Sequence, residues 1–420
     1  MRRPRGLRAA LPERPAHDVP TAPVRGAAPA SAPGAPIRRL PLVSLVVLAT
    51  TGFILVAMET MPAGLLPVMA GGLGTDEGSV GLLISAYALG TVIVTVPAIT
   101  LTRGIRRRPL LAVALVGLVL ANAVTALSPG IGVALASRFV AGAFSGTIWG
   151  MLAAYGRRIS PPDRAGLSLA IVSAGAPVGF AFGTPLGAFL GTALDWRWSF
   201  AGLSLLGVVV LALVLTVVPD APAVPAAVRL PLRRVIRIPG IAMILAVIAA
   251  WMVGHNTLYT YIAPYLRAGG SGLGADVTLL VYGVASIGGI ALTGALLDRH
   301  PRPVVHGSVA VFVLAGVVLL AGGASAPAVL AAAVLWGLAF GGSSAQMQAA
   351  LTTAGGDDAD VANSFLPVAF NVAIFAAGIL GAGLLSRTDA LVLPGVMVGF
   401  GVVALLLTLR GRRDAFPVRF

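Results

Sequence analysis

The chain has no cysteine and no lysine. Without thiols there is no disulfide and no thiolate metal site, and the redox compartment stays open. Without lysine there is no GxxxxGK[ST] phosphate loop, and neither HExxH nor GxSxG occurs. These absences argue against an ATP-driven pump and a membrane hydrolase, so the chain is not read as an enzyme. The four His show no metal-ligand spacing, and no metal or organic cofactor is expected. Charge is scarce: 10% of residues, against about 25% in a soluble domain.

What fills the chain is apolar. Of its 420 residues 57% are hydrophobic, with a mean hydropathy of +0.95, enough for roughly a dozen membrane-length helices. Apolar runs bounded by turn and charge signals predict spans at 42–69, 79–101, 109–127, 130–153, 165–192, 198–218, 239–265, 276–297, 303–323, 325–352, 360–386 and 390–409. The runs are too long for barrel strands and do not alternate. The expected fold is an all-α membrane protein of 12 transmembrane helices in two six-helix bundles.

All 29 basic residues are Arg, which we read as coding bias, and the net charge is +14. That charge does not point to nucleic acid, because the arginines sit in tails and short loops. Twenty-five fall in the two tails and alternate loops, against Arg197, Arg267 and Arg387 on the opposite side and Arg138 within a span. By the positive-inside rule both termini are cytoplasmic. The loop of Asp357, Asp358 and Asp360 lacks Arg, but acids count little in that rule.

Residues 1–40 form a basic, Pro-rich tail expected to be disordered. It lacks the apolar core of a signal peptide. The N-terminal bundle covers 41–218, the Pro- and Arg-rich linker 219–238, the C-terminal bundle 239–410 and a second tail 411–420. A weak repeat relates the halves. Leu101-Thr102-Arg103-Gly104 before Arg106-Arg107-Arg108-Pro109 matches Leu297-Asp298-Arg299-His300 before Arg302-Pro303. Two related halves around a midplane site are a common transporter architecture.

Between Arg39 and Asp76 one residue is charged, Glu59. An ionised, unpaired carboxylate at that depth costs several kcal/mol, so it must be protonated, paired or facing water. Counting about 1.5 Å per residue, Glu59 and Arg138 both lie roughly 12–15 Å below the outer surface. An apolar environment favours the protonated acid and a nearby guanidinium the carboxylate. Movement between the two would load and release a proton. Static hydrogen bonding of Glu59, and anchoring by Arg138, are the plainer alternatives.

Span five carries Gly175, Gly179, Gly183, Gly187 and Gly191, interrupted by Pro177 and Pro185. Period-four glycine admits close helix approach, either for static packing or for a contact that slides or bends. Arg103 is expected to set topology or to gate. Asp298 and Arg299 are either a latch between helices or plain solvated charge. Met58, His255, Asn256, Tyr259, Tyr261, Gln346 and Asn371 are candidate cavity residues, with helix–helix glue as the alternative.

The segment Glu59-Thr60-Met61-Pro62-Ala63-Gly64-Leu65-Leu66-Pro67 resembles the first span of the major facilitator superfamily's twelve-span drug:proton antiporter-1 branch. Ser137-Arg138-Phe139 with Gly142 is similar to its fourth-span Arg motif. Gly183-Thr184-Pro185-Leu186-Gly187 before Trp196-Arg197-Trp198-Ser199-Phe200 is similar to its antiporter motif. Tyr261-Ile262-Ala263-Pro264-Tyr265-Leu266 resembles its seventh span, and Ala362-Asn363 with Phe370-Asn371 its eleventh. The likeness covers about 42–410 and points to the bacterial arabinose, purine-ribonucleoside and chloramphenicol exporters. It departs after span two, where Thr102-Arg103 stands in place of the branch's Asp.

The resemblance implies proton-coupled efflux of a small organic compound from the cytoplasm, powered by the proton gradient, by a monomer in the cytoplasmic membrane. Glu59 would carry the proton, Arg138 would tune it, and the span-five glycines would permit rocking. The alternatives are facilitated sugar or nucleoside efflux without proton coupling, and a non-transporting receptor or scaffold.

Overall fold

A computed structural model describes residues 39–102, 104–222, 235–412 and 415–416. The expectations for the basic N-terminal tail up to residue 38, for Arg103 and for most of the linker fall outside the described residues. From Leu40 on, the chain forms one compact unit. The described residues contain no strand, and twelve segments are long and apolar enough to cross a membrane.

The first span is α1 (Leu42–Leu73), followed by α2 (Glu77–Leu101), α3 (Arg107–Ala126) and α4 (Ile131–Arg158). Span five is divided. It runs through α5 (Ala165–Ser173), the short α6 (Gly175–Val178), a π turn at Gly179–Gly183 and α7 (Thr184–Ala193). Span six is α8 (Trp196–Val217). In the second half, span seven is α9 (Ile241–Thr260) and α10 (Ile262–Gly269), span eight α11 (Ala275–Leu296) and span nine α12 (Pro301–Gly322). Span ten is α13 (Ala326–Gly341) and α14 (Ser343–Gly355), span eleven α15 (Ala359–Leu385) and span twelve α16 (Leu393–Arg410).

The sequence places the spans within a few residues but misses three breaks. Pro264 has no N–H for the Thr260 carbonyl, and its ring crowds that turn, so α9 stops at Thr260. Gly342 separates α13 from α14, where an added Cβ would overlap the Thr293 side chain. The π turn lies just before Pro185, which also lacks an N–H. In α1, by contrast, Pro62 and Pro67 lie inside a continuous helix. Pro62 frees the Met58 carbonyl one residue from Glu59.

Within the first half, α1 touches α2, α4, α7 and α8, while α3 joins α4 and α8. The α2–α4 contact is close because Gly142 lies against the Tyr87 carbonyl, a place no Cβ fits. In the second half, α9 packs on α15 and α16, and α11 on α13. At the turn before α2, Asp76 accepts from the Ser79 N–H at 2.8 Å and from its hydroxyl at 2.6 Å. These bonds hold the Asp76 carboxyl below the usual carboxylate range. Part of the C-terminal tail docks. Ala415 and Phe416 are buried, and the Phe416 carbonyl accepts from Arg302 Nε at 2.9 Å.

Candidate functional site

The polar centre of the first half forms where α1, α2 and α4 meet. Arg138 is fully buried. Its Nη2 donates to the Glu59 backbone carbonyl at 3.0 Å, and its Nε reaches the Leu83 carbonyl at 3.5 Å. The guanidinium carbon lies 4.5 Å from the Tyr87 ring centroid, a cation–π arrangement. The Tyr87 hydroxyl donates to the Leu55 carbonyl at 3.3 Å.

Glu59 and Arg138 therefore meet, but through the backbone. Among the described residues no ion pair joins the Glu59 carboxylate to Arg138. Glu59 Oε1 and Arg138 Nη1 are both buried without a hydrogen-bond partner. An apolar interior penalises each such atom.

The second half has a different centre. His255 stacks on Phe340 with ring centroids 3.5 Å apart, and its Nδ1 accepts from Trp336 Nε1 at 2.9 Å. That bond needs Nδ1 without a proton, so the neutral ring carries its proton on Nε2. Tyr259 and Tyr282 complete the cluster, 5.6 Å apart in an edge-on arrangement. All but Phe340 are at least 98% covered.

Four side-chain hydrogen bonds cross between halves among the described residues. Arg267 Nη2 meets Glu77 Oε1 at 2.6 Å. The Tyr261 hydroxyl reaches the Gly78 carbonyl of the first half at 3.3 Å while also bonding the Gly378 carbonyl of its own half at 2.8 Å. Ser85 donates to the Phe375 carbonyl at 3.1 Å, and Tyr259 to Thr184 Oγ1 at 3.1 Å. All lie within about ten residues, roughly 15 Å, of the helix ends away from Leu42 and Arg410. That distal end is closed. Glycine makes the closure tight: Gly283 abuts Ala181, and Gly81 and Gly381 flank the Tyr261 ring.

Several placements correct the sequence reading. Met58 is fully buried, with Cε toward Gly207 of α8, inside the first half rather than on a cavity. Gln346 is fully buried and donates to Thr293 at 3.1 Å and Ser308 at 2.9 Å. Tyr261 fills the slot between α2 and α15 described above. Its size and the four surrounding glycines make it a wedge, not a cavity wall. Asn256 donates to the Met252 carbonyl at 2.8 Å and is 7% exposed. Asn371 donates to the Pro367 carbonyl at 2.9 Å while its Oδ1 is buried and unpartnered.

The glycine stripe lies against α1 of its own half: Gly175 on Ala49, Gly179 on Phe53 and Val56, Gly183 on Ala57, Gly187 on Met61. It is not the surface where the halves meet. Pro185 is the second residue of α7 beside it. Asp298 and Arg299 are exposed and form no ion pair among the described residues.

Sequence reasoning passed over Thr60, Thr184, Tyr87, Ser85, Glu77 and Asp220. Asp220 Oδ2 takes Arg106 Nε at 2.6 Å, and its Oδ1 accepts the Arg108 N–H at 3.0 Å. The acid missing after span two is thus supplied from the end of span six. Only its position in the linker among arginines hinted at this.

Comparison with known proteins agrees with this architecture. The family model of the Major Facilitator Superfamily matches residues 48–359. The chloramphenicol efflux pumps of two Mycobacterium tuberculosis strains are each 31% identical over 391 residues, covering 87% of this chain and 91% of theirs. The nucleoside transporter NupG superposes with a TM-score of 0.72 at 12% identity, over 89% of this chain and 100% of that one. The xylose transporter XylE from E. coli, in an inward open conformation, gives 0.69 at 14%, over 88% and 96%. Twelve apolar helices in two halves, closed at one end around a buried polar centre, define a multi-pass membrane transporter of small molecules. The chain belongs to the Major Facilitator Superfamily.

Proposed function

We propose that the protein exports a small organic compound across the cytoplasmic membrane in exchange for protons, by alternating access. The observation that carries this reading is Glu59, a lone acid deep in α1 with one unpartnered carboxyl oxygen, whose backbone carbonyl is held by Arg138, itself with an unpartnered Nη1. Proton uptake releases the carboxyl from the guanidinium, and deprotonation draws it back. The proton gradient is the energy source, and no cofactor takes part.

The arginine asymmetry supports cytoplasmic termini at both ends. The closed distal end then faces outward, as an inward-facing state of the cycle requires. The functional division follows 41–218 and 239–410, with the linker and the 411–420 tail cytoplasmic and the transporter acting as a monomer. The 31% identity to chloramphenicol efflux pumps supports a neutral or weakly polar drug-like substrate. Asn256 and the half-buried Asn371 are the candidate cavity residues that keep some exposure.

The test uses proteoliposomes with an imposed pH gradient. Uphill transport of chloramphenicol or a screened analogue by the parent, absent in Glu59→Gln, is expected. Full gradient-driven transport by Glu59→Gln would reject the role of the acid. Flux that ignores the gradient in both would mean facilitated efflux.

A further inference from the structure

Three hydroxyls form a chain across the halves. Tyr259 lies 3.1 Å from Thr184 Oγ1, Thr184 lies 2.6 Å from Thr60 Oγ1, and Thr60 lies 2.8 Å from the Val56 carbonyl. Each hydroxyl has one proton to give. The carbonyl can only accept, so Thr60 spends its proton there. Thr184 must then donate to Thr60, and Tyr259 to Thr184. The chain has one direction, and it begins in the second half and ends on α1.

Its position links three features. Tyr259 belongs to the aromatic cluster and meets Phe180 of the π turn edge-on, with centroids 6.3 Å apart. Thr184 is the first residue after the π turn, the segment whose Ala181 touches Gly283 of the opposite half. π turns inside helices are frequent at functional sites. Thr60 follows Glu59 directly, about 100° around the helix. Glu59 therefore adjoins Arg138 while Thr60 adjoins span five.

We propose that Tyr259, Thr184 and Thr60 are positioning residues for transport. They form the innermost lock of the closed distal gate and tie the second half to the turn of α1 that carries Glu59. The three residues are 1%, 0% and 6% exposed, so no bulk water replaces a lost bond while the gate is shut. Opening the distal end carries Tyr259 away from Thr184 and lets water reach both. The lock thus favours the distal-closed state only. This proposal rests on the alternating-access reading above, but its readout is conformational and needs neither substrate nor proton gradient.

The chain has no native cysteine, so two introduced labels are unique. Leu127, in the exposed turn after α3, and Ser325, exposed before α13, sit on the distal rims of opposite halves. Spin labels on Leu127→Cys and Ser325→Cys report the gate by pulsed electron resonance in lipid nanodiscs. Tyr259→Phe should shift the open-to-closed ratio about fivefold toward the longer distance, the effect of one net neutral hydrogen bond. Thr184→Val should shift it at least as far, Thr184→Ser should restore the parent distribution, and adding Tyr259→Phe to Thr184→Val should shift it no further. If Thr184→Val does not fold, Tyr259→Phe decides by itself. An unchanged distribution in Tyr259→Phe, additive shifts in the double variant, or no rescue by Thr184→Ser would overturn the proposal. Glu59→Gln in the gradient assay tests the coupling reading separately.

Discussion

The two halves share one architecture yet differ at their centres. The first half buries an acid and a guanidinium that leave polar atoms without partners. The second buries a neutral imidazole clasped by an indole and stacked on a phenyl ring. Their opening helices differ to match: α1 is continuous through two prolines, whereas span seven breaks at Tyr261. Under the proposed mechanism, charge that changes state is kept in one half, and the other supplies a packed body to move against it. A buried charge is costly when its partner shifts, while an aromatic cluster holds its shape.

Breaking this contrast begins with Glu59→Gln, whose pH-gradient-driven efflux should fall to background while downhill exchange of substrate remains, measured in the same vesicles. Arg138→Met should cost about 1–3 kcal/mol of stability, since it takes the donor from the Glu59 and Leu83 carbonyls and a nearby cation from a buried acid. In a Glu59→Gln background the same change should cost clearly less, read from thermal unfolding in detergent. Equal costs in both backgrounds would separate the two residues energetically. Trp336→Phe removes the donor to His255 and should cost about 1–2 kcal/mol while efflux keeps its pH dependence. Loss of that dependence would put proton handling in the second half.

The smallest effect is at the α2 cap. Asp76→Ala should cost about 1 kcal/mol. Because the Asp76 carboxyl is held below its ordinary value, its contribution is complete above the unfolded carboxylate range near about 3.9. It is lost only as pH falls through the lower folded value. Asp76→Asn should flatten that acid limb in unfolding scans without touching neutral-pH transport.

Much of this was legible early. Helix-length apolar runs have no other stable form in a bilayer, so the twelve spans could be read within a few residues. Glu59 and Arg138 stood out because charge in such runs is rare, and their matching depth foretold their meeting. That Arg138 would bond the backbone carbonyl of Glu59 was hidden, since the choice depends on how α1, α2 and α4 cross. The span-five stripe was visible as a pattern, but its partner was not: it packs on α1, while Gly78, Gly81, Gly283, Gly378 and Gly381, unremarkable in sequence, line the cross-half contacts. Thr60, Thr184 and Tyr259 are ordinary residues separated by 124 and 75 positions.

By itself, then, the order of residues determined the number of crossings and the one acid the membrane would have to tolerate. These follow from the cost of moving polar groups into hydrocarbon, which acts on each segment locally. The tertiary structure alone decided which end is shut, which glycines touch across the halves, and that three distant hydroxyls donate in one line toward α1. Hydrogen bonds are short and directional, so only the folded packing sets which of them exist.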